Sequence, residues 1–232
     1  MQRWKYYLFC VGVMALTLMA AYWGSEAVTV ISEHLPIQRQ RCIVIDPGHG
    51  GEDGGATSCT GKLESAYNLE ISLRLDDLFH LMGYETKLLR KEDVSIYVTG
   101  STIAQKKVSD LKERVRLVNE TQNALLLSIH QNQFSDSRYS GAQVFYAGTP
   151  GSETLAKRLQ SLLVASLNPG SRRRCKKSTG VYLMEHISCT GVLIECGFLS
   201  NPREEARLGS PEYQKQLCCV IAAGVSGFLS NA

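Results

Sequence analysis

The sequence contains eight cysteines but no CxxC pair, which argues against a zinc ribbon. It contains no HExxH stretch, so no two histidines are preset on one helical face around an acid. It also lacks a long block of one charge. Lys and Arg total 25, Asp and Glu 22, and the net charge is only +3. No extended basic face follows from that balance, so nucleic acid is not an expected partner. The mild positive charge is compatible with weak attraction to anionic polymers. There is no internal repeat and no low-complexity tract. These absences leave one domain of roughly 190 residues with a short N-terminal appendage, and no second domain is expected.

Hydrophobic residues make up 44% of the chain, enough for a sizeable core. At the N-terminus Arg3 and Lys5 precede an uncharged apolar run over residues 6–23. As a helix this run spans roughly 27 Å, borderline for a bilayer. A positive start and an apolar middle read as an export signal or a signal anchor, and Ser25, Glu26 and Ala27 supply a small-residue cleavage pattern. A buried soluble helix fits the charged flank poorly. Residues 1–31 are therefore expected to be a signal peptide or membrane anchor, 32–40 a polar linker, and 41–232 the folded domain, working outside the cytoplasmic membrane. Seven cysteines lie beyond the apolar run, so they cannot all pair within one chain. Cys42, Cys196, Cys218 and Cys219 sit in apolar stretches and read as small buried hydrophobes. Exported proteins usually avoid free thiols, which points to a reducing habitat.

Strands and helices alternate after the linker. Residues 42–46, CIVID, form the continuous apolar run of a buried parallel strand. Residues 64–82 read as a helix stopped by Gly83, and 85–89 as a strand. Asp110 and Glu113 resemble a capping box opening a helix that runs to about Gln122. Residues 124–129 and 142–146 read as strands. Ser152 is placed to cap a helix carrying Leu155, Leu159, Leu162 and Leu163 on one face. Short strands are expected at 181–184 and 191–194. Ser210 and Pro211 open a last helix with Leu217, Val220, Ile221 and Phe228 on its apolar face. The alternation predicts an α/β fold, a mostly parallel sheet with helices on both faces.

Four residues stand out by position. His49 follows the first strand in Asp46-Pro47-Gly48-His49-Gly50-Gly51, His130 follows residues 125–129, and Glu195 follows 192–194. Glu64 opens the long helix after a glycine-rich loop. In an open α/β sheet, ligands gather at the carboxyl ends of strands, so these distant segments are expected to share one cleft. Two imidazoles and a carboxylate make a catalytic zinc set with an open position. Zinc lowers the pKa of water to about 7, and a further carboxylate can take the proton. Glycines 48, 50, 51, 54 and 55 keep bulk out of the cleft. Taken singly, each residue has a plainer reading. A histidine after a strand is more often a hydrogen-bonded loop residue, Glu64 can complement a helix dipole, and Glu195 can be an ion-pair partner. His34, His80 and His186 read as linker, helix-face and loop residues. The cluster Arg172-Arg173-Arg174-Cys175-Lys176-Lys177 reads first as a solvated loop, and second as a contact for wall carboxylates or lipid headgroups.

Together the motifs resemble the zinc-dependent N-acetylmuramoyl-L-alanine amidases of the Amidase_3 type. The resemblance runs over nearly all of residues 42–228. Val44 to Gly51 with Asp53, Gly55 and Ala56 looks like the family's opening motif. Glu64, Asn68, Leu69 and Ile71 match its next stretch. Arg90 and Asp93 follow, with Leu89 where Thr is usual. Leu111, Arg114 and Asn119 match a helix, and Ser128-Ile129-His130 with Asn132 matches the second histidine motif. Ile194 to Pro202, with Glu205, is close to the last signature. The resemblance implies that His49, Glu64 and His130 bind zinc, and that Glu195 is the general base and then the acid to the leaving amine. It implies peptidoglycan as substrate and 41–232 as the amidase catalytic domain. Within the family the chain is most similar to the germination-specific amidases of endospore formers. That similarity implies removal of stem peptides for muramic-δ-lactam formation in the spore cortex, and residence in the forespore intermembrane space or cell wall.

Gln131 and Gln133 depart from the pattern, standing where small residues are common. They are placed to narrow the pocket, to add amide hydrogen bonds, or simply to cap the next turn. Residues 131–140 are too few for the autoinhibitory helix of some cell-division members, so restraint is expected from timing or from an extracytoplasmic activating partner. Two other readings fit the same residues: a zinc peptidase cutting within the stem peptide, and a non-catalytic wall-binding protein of this fold.

Overall fold

The computed structural model describes residues 41–230 together with Met14 and Met19. The proposed signal or anchor and the linker, with His34, otherwise lie outside the described residues. Among the described residues no helix is long and apolar enough to cross a membrane.

In chain order the elements are β1 (Cys42–Pro47), α1 (Glu64–Leu81), β2 (Glu85–Leu88), α2 (Ile103–Asn119), β3 (Ala124–Asn132) and β4 (Gln143–Tyr146). Then come α3 (Ser152–Leu167), β5 (Lys176–Lys177), α4 (Tyr182–His186), β6 (Thr190–Phe198), α5 (Pro202–Leu208) and α6 (Pro211–Leu229). The sheet order is β2-β1-β3-β6-β4-β5. β1 pairs in parallel with β2 and β3, and β3 with β6. β4 runs antiparallel to β6 and carries the short β5 parallel to itself. The expected α/β fold is thus present, with its antiparallel part confined to one edge.

Side chains alternate across a strand, and here the two parities bury on two sides. Ile43, Ile45, Leu125, Leu127, Ile129, Val192 and Ile194 pack with Tyr67, Ile71, Leu75 and Phe79 of α1 and with residues of α3 and α6. Val44, Leu126 and Leu193 face the other way, toward Val118 of α2 and Leu183 and Met184 of α4. Burial on both sides is why the central strands read as unbroken apolar runs. Each fully buried Leu or Ile side chain stabilises the fold by about 1.5–3 kcal/mol.

Several local expectations are corrected. α2 begins at Ile103, where Thr102 and Gln105 form a reciprocal capping box. Asp110 lies inside that helix and binds Arg114 and the Ile96 amide instead. Ser152 is the first residue of α3, not its cap. Gly151 at φ 80° precedes it, and the Ser152 hydroxyl accepts the Gly191 N–H at 2.9 Å, tying the helix to β6. Residues 182–186 are helical, so His186 ends α4 rather than lying in a loop, with its ring stacked on Tyr182. Four residues are too few for periodicity to separate strand from helix. Cys219 is exposed, whereas Cys42, Cys196 and Cys218 are buried as expected. Ser210 caps α6 through the Tyr213 N–H.

Candidate metal centre

β1 delivers the chain to Gly48 and His49 at its carboxyl end. His49 has φ 60°, an uncommon conformation for a residue with a side chain. Two buried arginines hold this turn by its carbonyls. Arg114 of α2 donates to Pro47 O at 3.0 Å and to His49 O at 2.8 Å. Arg90, just past β2, donates to Pro47 O at 2.9 Å and Gly48 O at 3.0 Å. Asn68 of α1 is a second donor to Gly48 O. Arg114 is itself anchored by ion pairs with Asp46 and Asp110, and Ser128 donates to the other Asp46 oxygen. Burial pushes the Asp46 carboxyl up, but Arg114 and Ser128 overcome it and hold the carboxyl below its ordinary value.

Glu64, the first residue of α1, is buried and points at both imidazoles. Its Oε2 lies 3.3 Å from His49 Nε2 and its Oε1 lies 3.0 Å from His130 Nδ1. Backbone N–H groups of Ala56 and Gln131 also donate to it. The rings of His49 and His130 meet edge to face, with centroids 5.0 Å apart. One donor atom from each of His49, Glu64 and His130 lies within 4.8 Å of the others. Two glycines make room for this approach. A Cβ on Gly48 would sit 2.3 Å from the His130 ring, and one on Gly55 would sit 2.6 Å from Glu64 Oε2.

The donor set fits a divalent cation on its own chemistry. Burial works to raise the Glu64 pKa, yet His130 and His49 hold it well below the carboxylate range. Burial works to lower the His49 pKa, but its bonds to Asp53 and Glu64 push it up to about 9. A buried negative charge thus draws positive charge into the pocket, which a bound cation supplies while leaving the imidazoles neutral. His49 donates from Nδ1 to Asp53 at 2.9 Å, which fixes the tautomer and turns Nε2 toward Glu64. Asp53 is an orienting residue to which sequence reasoning gave no role.

Glu195 lies within β6, not at its end, and is the register partner of His130 on the neighbouring strand. Adjacent register partners project to the same side of a sheet. Glu195 Oε2 is shielded from solvent and has no hydrogen-bond partner. Burial, reinforced by the Glu64 charge and opposed by His130, pushes its pKa up to about 7. Gln131 is buried and donates to Asn68 Oδ1, while the exposed Gln133 donates to Thr57 O. Both add amide hydrogen bonds around the cleft.

The family model described as N-acetylmuramoyl-L-alanine amidase, Amidase_3, matches residues 43–227. The germination-specific N-acetylmuramoyl-L-alanine amidase of Bacillus subtilis is 35% identical over 233 residues, 99% of this chain and 97% of that protein. The structure of the CwlD amidase from Clostridioides difficile, in complex with the GerS lipoprotein, superposes with a TM-score of 0.79 at 34% identity. The match covers 82% of this chain and 99% of that one. A further N-acetylmuramoyl-L-alanine amidase, from Clostridium difficile 630, matches with a TM-score of 0.72 at 30% identity, over 83% of this chain and 98% of that one.

Proposed function

This chain belongs to the N-acetylmuramoyl-L-alanine amidase family, and from that premise we propose a zinc-dependent peptidoglycan amidase with His49, Glu64 and His130 as metal ligands and Glu195 as the catalytic acid–base. The carrying observation is the meeting of three donor atoms, from the turn after β1, from α1 and from β3, one of them on the buried Glu64 carboxylate, with Glu195 one strand away. Zinc held in such a set acts as a Lewis acid toward the amide carbonyl and makes hydroxide available near neutral pH. The chain's own groups do the rest. Asp53 orients His49. Glu195, with an unpartnered carboxylate oxygen, takes the proton of the attacking water and passes it to the leaving nitrogen of L-alanine. The bond broken joins the lactyl carbonyl of N-acetylmuramic acid to that nitrogen.

The near full-length likeness to a germination-specific amidase supports a role in the spore cortex, where release of the stem peptide precedes muramic-δ-lactam formation. It supports action outside the cytoplasmic membrane, in the forespore intermembrane space or wall, with residues 1–31 as signal or anchor. The relative solved with a lipoprotein supports an extracytoplasmic activating partner. Mass spectrometry of purified peptidoglycan treated with the zinc-loaded protein tests the reaction. Release of intact stem peptides with a free L-alanine amine is the expected result. Cleavage within the stem, or no cleavage with or without such a partner, overturns it.

A further inference from the structure

We propose that a basic groove beside β4 is a second substrate-binding site, which takes the carboxylates of a peptidoglycan stem peptide; the proposal rests on the amidase reading above. The groove encloses about 1380 Å³ between residues 137–143, 167–176 and 201–207. Small-molecule pockets run to about 300–1,000 Å³, so this one suits an extended chain. Arg172, Arg174, Lys176 and Arg203 line it and are exposed. None of these four side chains makes an ion pair or hydrogen bond among the described residues. The one carboxylate in the lining, Glu204, is buried and already accepts the N–H groups of Gly141 and Phe198. The groove therefore presents uncompensated positive charge.

Its position ties it to the catalytic strand. Gln143 lines the groove and is the register partner of Glu195 across β4 and β6. Glu195 is thus flanked by His130 on one side and Gln143 on the other, with neighbouring strands about 5 Å apart. Arg173 connects the two regions. It donates to Gln143 Oε1 at 2.7 Å and to Ser140 O at 2.8 Å, and lies over the Phe198 ring. A substrate with its scissile amide between His130 and Glu195 reaches the free arginines by continuing over Gln143. The N-acetylated sugars of the glycan carry no free charge, whereas the peptide branch beyond L-alanine carries carboxylates, so cations here select the peptide. The concave shape favours a threaded chain over a planar lipid surface.

The test uses the zinc-loaded full chain and two muramyl peptides, one with free stem carboxylates and one with those carboxylates amidated. The groove variant is Arg172→Ala, Arg174→Ala and Arg203→Ala combined. Lys91→Ala, Lys112→Ala and Lys215→Ala combined give the same charge loss elsewhere. The groove variant is expected to raise KM for the free-carboxylate substrate roughly fivefold to tenfold, leave kcat unchanged and abolish the preference over the amidated one. The control should match the unaltered chain. An intact preference in the groove variant, or an equal loss in the control, overturns the proposal. Should the variant fail to fold by thermal melting, the unaltered chain decides: its preference should shrink as salt is raised, and a salt-independent preference refutes the site. Sedimentation with vesicles of phosphatidylcholine and one-third phosphatidylglycerol covers the other source of anions. Binding lost in the groove variant with KM unchanged reassigns the groove to lipid and overturns the proposal. If neither substrate is cut, with or without an activating partner, the amidase reading fails, and equilibrium binding of the free stem peptide decides the groove. Binding lost only in the groove variant supports it, and no binding to the unaltered chain refutes it.

Discussion

Replacing Arg114 by alanine should damage both stability and the metal centre, for separable reasons. Arg114 and Asp46 are buried to within a few per cent, so the substitution leaves the Asp46 charge in the interior with only Ser128 as partner. Removing one member of a buried pair costs about 3–5 kcal/mol, about a fifth or more of a typical total stability of about 5–15 kcal/mol. The substitution also removes the donors to Pro47 O and His49 O, which hold the His49 turn. Asp46→Leu combined with Arg114→Met takes away the fully buried pair and leaves Asp110, which sits nearer the surface and still accepts the Ile96 N–H, and replacing a buried pair by apolar residues is often neutral or stabilising. The double variant should therefore regain most of the stability in urea unfolding but not the zinc affinity. Lost support around a ligand typically costs about 10–100-fold in metal affinity, measurable by chelator competition. The pH dependence has a fixed sign. Asp46 is held below its unfolded value, so its contribution is fully present above about pH 4 and is lost as pH falls through the folded value. The stability gap between the unaltered chain and Arg114→Ala should narrow in acid. A single variant within about 1 kcal/mol of the unaltered chain, against the 3–5 expected, or a double variant with unchanged zinc affinity, would refute this reasoning.

Gly48→Ala places a Cβ 2.3 Å from the His130 ring, so zinc content by elemental analysis should fall while circular dichroism stays native; normal zinc content would mean that the ring is not a ligand. His49→Ala and His130→Ala should each lower zinc content, and full occupancy in both would remove this ligand set. Glu195→Gln keeps the shape of the side chain but cannot carry a proton. It should retain zinc and fold while turnover falls by about 10²–10⁴-fold, whereas an ion-pair role predicts lost stability with activity tracking the folded fraction.

The fold was legible where one face or one continuous run is buried. β1 and β3 show as apolar runs because both their sides are covered, and α1 shows through Ile71, Leu75 and Phe79, four apart, and through its stop at Gly83. The start of α2 was hidden because its first turns are exposed, Ile103 and Val108 included; the readable signal was Thr102 with Gln105. α5 is too short for periodicity to mark it in the sequence, although Asn201 and Pro202 are a serviceable helix start. The meeting of His49, Glu64 and His130 was legible because strand ends converge and the motifs resemble one family. The clamps were not. Arg90 and Arg114 reach carbonyls 42 to 67 residues away, and no local pattern in the sequence marks such a partner.

Local rules break at a few places, and these cluster at the cleft. His49 adopts a left-handed conformation that costs a residue with a side chain about 1–2 kcal/mol. α1 starts after Leu63 with no side-chain cap, while the carboxylate of its first residue turns to the two imidazoles. Glu195 keeps a buried oxygen without a partner, a desolvation cost of about 1–3 kcal/mol. Each is unfavourable alone and persists only where the surroundings over-determine it. Here the surroundings are Arg90, Arg114, Asn68 and Asp46, which bind substrate in no part of the mechanism yet fix the turn that carries His49. Selection for stability alone would relieve all three. Their coincidence within one cleft is what the proposed site for a cation and a proton requires, and the arginine clamps hold the turn that carries His49 within it.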